Sequence, residues 1–458
     1  MNEFLREHWT RSRIFRVVLV LALGYAGLRL VVNALYMTIL LAPELGLMEL
    51  PEWSGSEAQP IIPVDLQVYL DAAEQFRAQE PLYDMRGRIE FFQYSPAYAM
   101  AFIPFLWLPA GATVAIHVLL HVAAYILLYF TCDRIFRKTG LAGARRALAL
   151  TLPVWLIFTS FWSDLGYLNV YIIVALLGTL LIEAVLDEHV GWALLWLSLI
   201  LQSKPHWAFA LAIPFLLGRH RFFARLMALA APAYVAIVGI TMWAGGPAYV
   251  LGQYGAYVRF LATMGAGFRW AGTEAAYLGY NHSIKQIVFY LLGVTPSSAL
   301  IASGIKGLLL APLALVGIRC LLHPGKQPRQ TASQLALDLA FATYLGVFIW
   351  LDWVWEVSLS PVLLAYLLGT VVQRKLKGAL WAVFLPYGLI DVVRLVSFAA
   401  LGMDAIAPGL YVITDPSLYV PLMMIVILVF YAVLVTRIWR AVFVSTNTYP
   451  EGEAVYGL

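Results

Sequence analysis

The chain has 458 residues, 62% of them hydrophobic and 12% charged, with a formal net charge of +4. A mean hydropathy of +0.80 excludes a soluble globular protein, which has no way to hide so much apolar surface. The basic residues fall in short clusters between apolar runs, which is loop bias rather than a nucleic-acid-binding patch.

The first apolar run, residues 14–41, is too long for a signal-peptide core and lacks a convincing cleavage site, so it is expected to stay as an anchor. Arg6, Arg11, Arg13 and Arg16 precede it and put the N-terminus on the cytoplasmic side. Residues 42–110 then form a first outer loop rich in carboxylates, with the acidic segment VDLQVYLDAAEQFRAQEPLYD starting at Val64. At 100° per residue, Gln67, Asp71, Glu74 and Gln75 share one arc of this helix. Leu66, Val68, Tyr69, Leu70, Ala72, Ala73 and Phe76 share the other, and Asp65 falls among them. Two readings of Asp65 stand side by side. It caps the helix after Pro63 and Val64, or it turns toward protein or headgroups, where burial raises its pKa and a nearby cation lowers it.

The stretch YSPAYAMAFIPFLWLP is broken at Pro104 and Pro109 and reads as an interfacial or half-inserted helix before a span over 111–131. Spans near 147–163 and 170–187 follow and turn at WSDLGYLN, Trp162 to Asn169. Residues 191–217 lie between two basic segments and must enter and return, yet each half has only about a dozen apolar residues against the roughly 20 of a full span. The hinge is QSKP, Gln202 to Pro205. A broken helix at membrane depth needs protein or a polar cavity over its free backbone groups. Lys204 therefore points into an internal site, or else snorkels to an interface.

Further spans are expected near 226–246, 298–320, 336–352, 357–372, 378–400 and 419–436. The total is about ten crossings plus the broken pair, or about twelve if both halves count. A second long outer loop, 245–297, carries Arg259, Arg269 and GYNHS, and LDWVWE (Leu351 to Glu356) lies on the same side. Residues 445–458 read as a flexible tail. Cys132 and Cys320 end separate runs, with no CxxC, so neither a disulfide framework nor a metal site is expected. Aromatics and carboxylates on one side suit a carbohydrate site, since rings pack on sugar faces and carboxylates accept from hydroxyls. An aromatic interface belt with solvated acidic loops accounts better for any single one of these residues.

Four separated segments carry a family resemblance. They are Asp65 to Ala73 ending in Glu80-Pro81-Leu82-Tyr83-Asp84; Tyr94-Ser95-Pro96; Lys204-Pro205 leading an apolar run to Arg219; and Asn281-His282-Ser283. In order and spacing they resemble the integral-membrane glycosyltransferases of the GT-C type. The specific likeness is to glycosyltransferase family 87, the polyprenyl-phosphomannose-dependent α-1,2-mannosyltransferases. Two places depart from that pattern. Gly166-Tyr167-Leu168-Asn169 stands where members often have Gly-Gln-Asn, and Trp355-Glu356-Val357-Ser358 lacks the histidines of a Trp-acid-His-His run.

The resemblance implies an all-α polytopic membrane protein of GT-C fold, one domain over 1–458, with about 10–12 transmembrane helices and outer-face juxtamembrane helices. It implies a bacterial plasma-membrane location with both termini cytoplasmic and the active site outside. The activity implied is transfer of a hexose, mannose in the first instance, from a polyprenyl monophosphate to a glycolipid or glycan acceptor, with inversion. Among membrane lipids, and with no nucleic-acid partner, Asp65 would be the general base. Lys204, Arg259, Arg269 and His282 would bind the donor phosphate, and Tyr69, Tyr94, Asn281 and Glu356 the sugar or acceptor. No metal or other cofactor is expected. The competing classes are a secondary transporter or lipid flippase, for which Asp391 and Arg394 would be a relay pair, and a scaffold subunit of an envelope assembly.

Overall fold

The structure is a computed structural model that describes residues 3–42, 60–84, 92–263, 278–279, 281–322, 332–401 and 419–444. Every regular element among the described residues is helical. In chain order these are α1 (Glu3–Arg11), α2 (Arg13–Leu41), α3 (Val64–Ala78), α4 (Pro96–Phe102), α5 (Ala110–Lys138), α6 (Ala142–Leu150), α7 (Leu152–Ile157) and α8 (Thr159–Tyr167). Next come α9 (Tyr171–Leu186), α10 (Val190–Ser203), a 3₁₀ turn (Pro205–Leu211), α11 (Ala212–Leu216), α12 (His220–Gly245), α13 (Pro247–Thr263) and α14 (Ile284–Leu292). The last are α15 (Pro296–Leu322), α16 (Ala332–Trp350), α17 (Ser360–Thr370), α18 (Arg374–Gly388), α19 (Ile390–Leu401) and α20 (Leu422–Trp439).

Among the described residues, six helices are long and apolar enough to cross a membrane, or eight if the bent pairs α6 with α7–α8 and α18 with α19 each count as one span. The protein is an all-α polytopic membrane protein. The number of full-length spans is below the ten expected because two of the expected crossings fold as shorter apolar helices, α9 and α17, while α10 is the short first half of the broken pair. Their sequences match lipid in composition but not in length. Nine consecutive residues of α17, Ser360 to Leu368, are buried in protein. A helix enclosed by its neighbours can end on their polar groups and need not match the bilayer thickness. The lipid-facing helices are the opposite case. Only 17% of the apolar window is buried in α2, α12 and α15, against 78% in α16, so α16 is central and the other three are peripheral.

Helices α6 and α17 cross at Gly143 and Gly369, where a Cβ on Gly369 would lie 2.3 Å from backbone atoms of Ala144. Small residues let helices approach this closely, and no rotamer change relieves a clash with backbone. Gly369→Ala should therefore destabilise the fold by about 1–3 kcal/mol or more. Thermal unfolding in detergent checks this, with Gly304→Ala, which has open space around it, as the unaffected control.

Ion pairs gather at one end of the bundle. Glu3 and Glu7 of α1 pair with Arg145 and Arg146 of α6; Arg134 and Lys138 of α5 pair with Glu183 and Asp187; Arg219 pairs with Glu188. From that end α10 rises 14 residues to Lys204, about 21 Å of the roughly 30 Å hydrocarbon core. The 3₁₀ turn and α11 then return to Arg219. This is the in-and-back path expected for 191–217. The break is stabilised from outside: the freed Gln202 carbonyl accepts from Ser95 N–H at 3.2 Å, and Gln202 Oε1 from Ser95 Oγ at 2.7 Å.

Candidate functional site

Helix α3 buries Leu66, Tyr69, Leu70, Ala72, Ala73 and Phe76 of the expected apolar arc against α4 and its neighbours, and Gln75, expected on the polar arc, is buried with them. The N-cap position is Pro63 and no side chain caps the helix, so Asp65 is not its cap. Asp65 instead lies half-buried in the first turn, where its carboxylate is hydrogen-bonded to the Asn169 side chain and feels the Lys204 ammonium. Asn169 Oδ1 accepts from Val170 N–H at 2.7 Å and from Tyr69 Oη at 3.4 Å, which turns its amide N–H toward Asp65. Tyr69 Oη is also 3.0 Å from Tyr94 Oη. Burial pushes Asp65 up to about 6, while the Asn169 hydrogen bond and the charge on Lys204 pull it down. Of the two effects left open by the sequence, burial wins.

Asn169 is held in turn by His121. The ring's Nδ1 lies 2.6 Å from the His117 carbonyl, and its Nε2 contacts the Asn169 carbonyl and stands 3.5 Å from Asp164. Asp164 accepts from the N–H groups of Tyr171 and Ile172 at 3.2 and 2.9 Å, occupying the anion-binding N-terminus of α9.

Beside this group lies a partly open cavity. Its polar walls are Gln93, Lys204, His206 and Glu356; its aromatic walls are Tyr171, Phe348, Trp353 and Trp355. Lys204 is 8% exposed. Its Nζ sits 3.9 Å above the centre of the Tyr171 ring and 5.2 Å from that of Tyr94. Among the described residues no carboxylate lies within ion-pairing distance of it and no acceptor takes its N–H groups. Burial, then the neighbouring Asp164 carboxylate, holds Glu356 well above the usual carboxylate range despite a hydrogen bond from Ser163. Its Oε2 has no partner among the described residues.

The loop bearing Trp353, Trp355 and Glu356 is fastened by the GYNHS segment. Asn281 Nδ2 donates to the Asp352 carbonyl at 2.9 Å, its Oδ1 accepts from Val354 N–H at 3.1 Å, and His282 N–H donates to the Val354 carbonyl. Asp352 itself is gripped by Lys285 and by Lys306, which also takes the last carbonyls of α16. Comparison with protein-family models and with curated proteins gives no match.

The expected site residues thus divide. Lys204 and Glu356 line the cavity, Asp65 and Tyr94 lie beside the Lys204 ammonium, and Tyr69 stands behind them against Tyr94 and Asn169. Asn281 and the His282 backbone hold its loop rather than line the cavity, Arg259 is exposed on α13, and Arg269 lies outside the described residues. Sequence reasoning passed over His206, two residues beyond Lys204 in the same break, and over His121, a polar group in an apolar run. Asp391, half of the relay pair that the transporter reading would use, is engaged from another helix. Its partners are Arg29, at 2.8 Å, and Tyr25, both on α2.

Proposed function

We propose that the protein is an integral-membrane glycosyltransferase of the GT-C type. It moves a hexose, mannose in the first instance, from a polyprenyl monophosphate to a glycolipid or glycan hydroxyl. The observation that carries this reading is Lys204: a buried ammonium in a cavity, its N–H groups not taken by protein, beside the carboxylate of Asp65. A buried lysine with no carboxylate partner suits an anionic ligand.

In the proposed step the acceptor oxygen attacks the anomeric carbon as its proton passes to Asp65. The bond from that carbon to the phosphate oxygen breaks, and the leaving group takes the electron pair. The donor diester carries one negative charge and the departing monoester two, so charge builds on the phosphate, where Lys204 offsets it. Attack opposite the leaving group inverts the anomeric centre. Trp353 and Trp355, stacked with centroids 6.1 Å apart, offer ring faces to a sugar, and Glu356 offers an oxygen to its hydroxyls. The ion-paired end of the bundle, about 24 Å from Tyr171 along the 16 residues of α9, would be cytoplasmic, with the cavity toward the outer leaflet of a bacterial plasma membrane.

The test is the purified protein in liposomes with radiolabelled polyprenyl-phosphate hexose and a lipid extract as acceptor. Label should appear in an inverted linkage. Movement of the intact donor between leaflets without transfer would instead establish the flippase reading.

Acid should switch the activity off. With Asp65 near 6, about nine-tenths of it is ionised at pH 7, and kcat/KM should fall tenfold per unit below pH ~6. Lys204 favours the ionised form, so Lys204→Met should move that limb to higher pH. The pH profile of each protein checks the sign.

A further inference from the structure

We propose that His206 is a second hydrogen-bond donor to the phosphate of the lipid-linked ligand, acting beside Lys204; this rests on the reading of Lys204 as a phosphate site. His206 lines the same cavity, one residue beyond the proline that breaks the helix. Its imidazole has no hydrogen bond to any described residue, which sets it apart from the two histidines of α5. His117 and His121 each place Nδ1 within 2.8 Å of the carbonyl four residues back. For His206 that carbonyl belongs to Gln202, and Ser95 N–H occupies it. The chain break thus leaves the imidazole without its usual local partner and opens it to the cavity.

The ring is also held in place. Its neighbour Trp207 is 1% exposed and wedged against α9 at Gly178, where even a Cβ would come within 3.2 Å of the indole. The chemistry needs such a donor. A phosphate passing from one negative charge to two gains from a second N–H beside the single ammonium of Lys204, and an imidazole supplies it without giving up a proton.

The experiment uses the full chain in nanodiscs and measures binding of a short-chain polyprenyl monophosphate and, separately, of inorganic phosphate. His206→Phe keeps the ring's bulk without the donor and should weaken the lipid phosphate about 10- to 100-fold. His206→Asn, which keeps an N–H, should recover much of that loss. The acid limb of the pH profile should not move, because Asp65 sets it. Wild-type affinity in His206→Phe, or an equal loss in His206→Asn at unchanged thermal stability, would overturn the proposal. Equal binding of inorganic phosphate would overturn the lipid-linked ligand. No binding of either by the wild type would instead remove the functional reading beneath it. Should His206→Phe not fold, carbethoxylation of the wild type read by mass spectrometry decides the matter. Polyprenyl phosphate should shield His206, and labelling unchanged by the ligand would refute the contact.

Discussion

Asp65→Asn should lower transfer by about 10²- to 10⁴-fold, the range of a lost general base, while the protein unfolds at its wild-type temperature. The substitution keeps the shape of the side chain and one oxygen. It removes only the basic oxygen and the charge. Because Asp65 does not cap α3, the helix loses no terminal hydrogen bond. Burying a neutral amide also costs less than burying a carboxylate, so stability should hold or rise slightly. The assay is single-turnover transfer from lipid-linked sugar, with donor binding measured alongside. Donor affinity should change little, since the base faces the acceptor. Full turnover in the variant would reduce Asp65 to a structural acid.

Lys204→Met should raise the donor Kd about 10- to 100-fold, the equivalent of a charge-assisted hydrogen bond of about 1.5–3 kcal/mol. Methionine fills much the same space between the Tyr171 and Tyr94 rings, so what is lost is the charge. Acceptor KM should stay close to wild type. A larger effect on acceptor than on donor would take Lys204 away from the phosphate. The fold should tolerate the change, because a buried ammonium without an ion-pair partner is costly to the protein alone.

Much of the site's inner wall was legible because local rules dictate it. The 3.6-residue period placed Asp65 on the buried face of α3 together with Tyr69. A Lys-Pro step between two runs too short to span predicted a break at Lys204, and α10 ends at Ser203. The reading of Asp65 as a cap failed by two residues of register. The helix begins at Val64 and Pro63 takes the cap position, leaving the carboxylate inside the first turn.

Other features depend on contacts between residues far apart in the chain, and no window of sequence contains them. Asp65 meets Asn169 across the bundle. The tryptophan loop is fastened by Asn281, whose side chain looked in sequence like a ligand to sugar. Asp391 passes over the arginine three residues along its own helix and pairs with Arg29, on a helix 362 positions earlier. In lipid, polar groups are satisfied by whichever helix packs against them.

The sequence by itself determined the class of this protein and the position of its break. Apolar composition forces helices that satisfy their own backbone, and proline after lysine ends one of them at membrane depth. Only the tertiary structure decided which polar groups share a cavity. It enclosed α9 and α17 in protein rather than lipid, and it set Lys204, His206 and Glu356 around one space with Asp65 beside it. The physical reason is that burial and charge at a site are sums over neighbours from many elements, and packing alone chooses those neighbours.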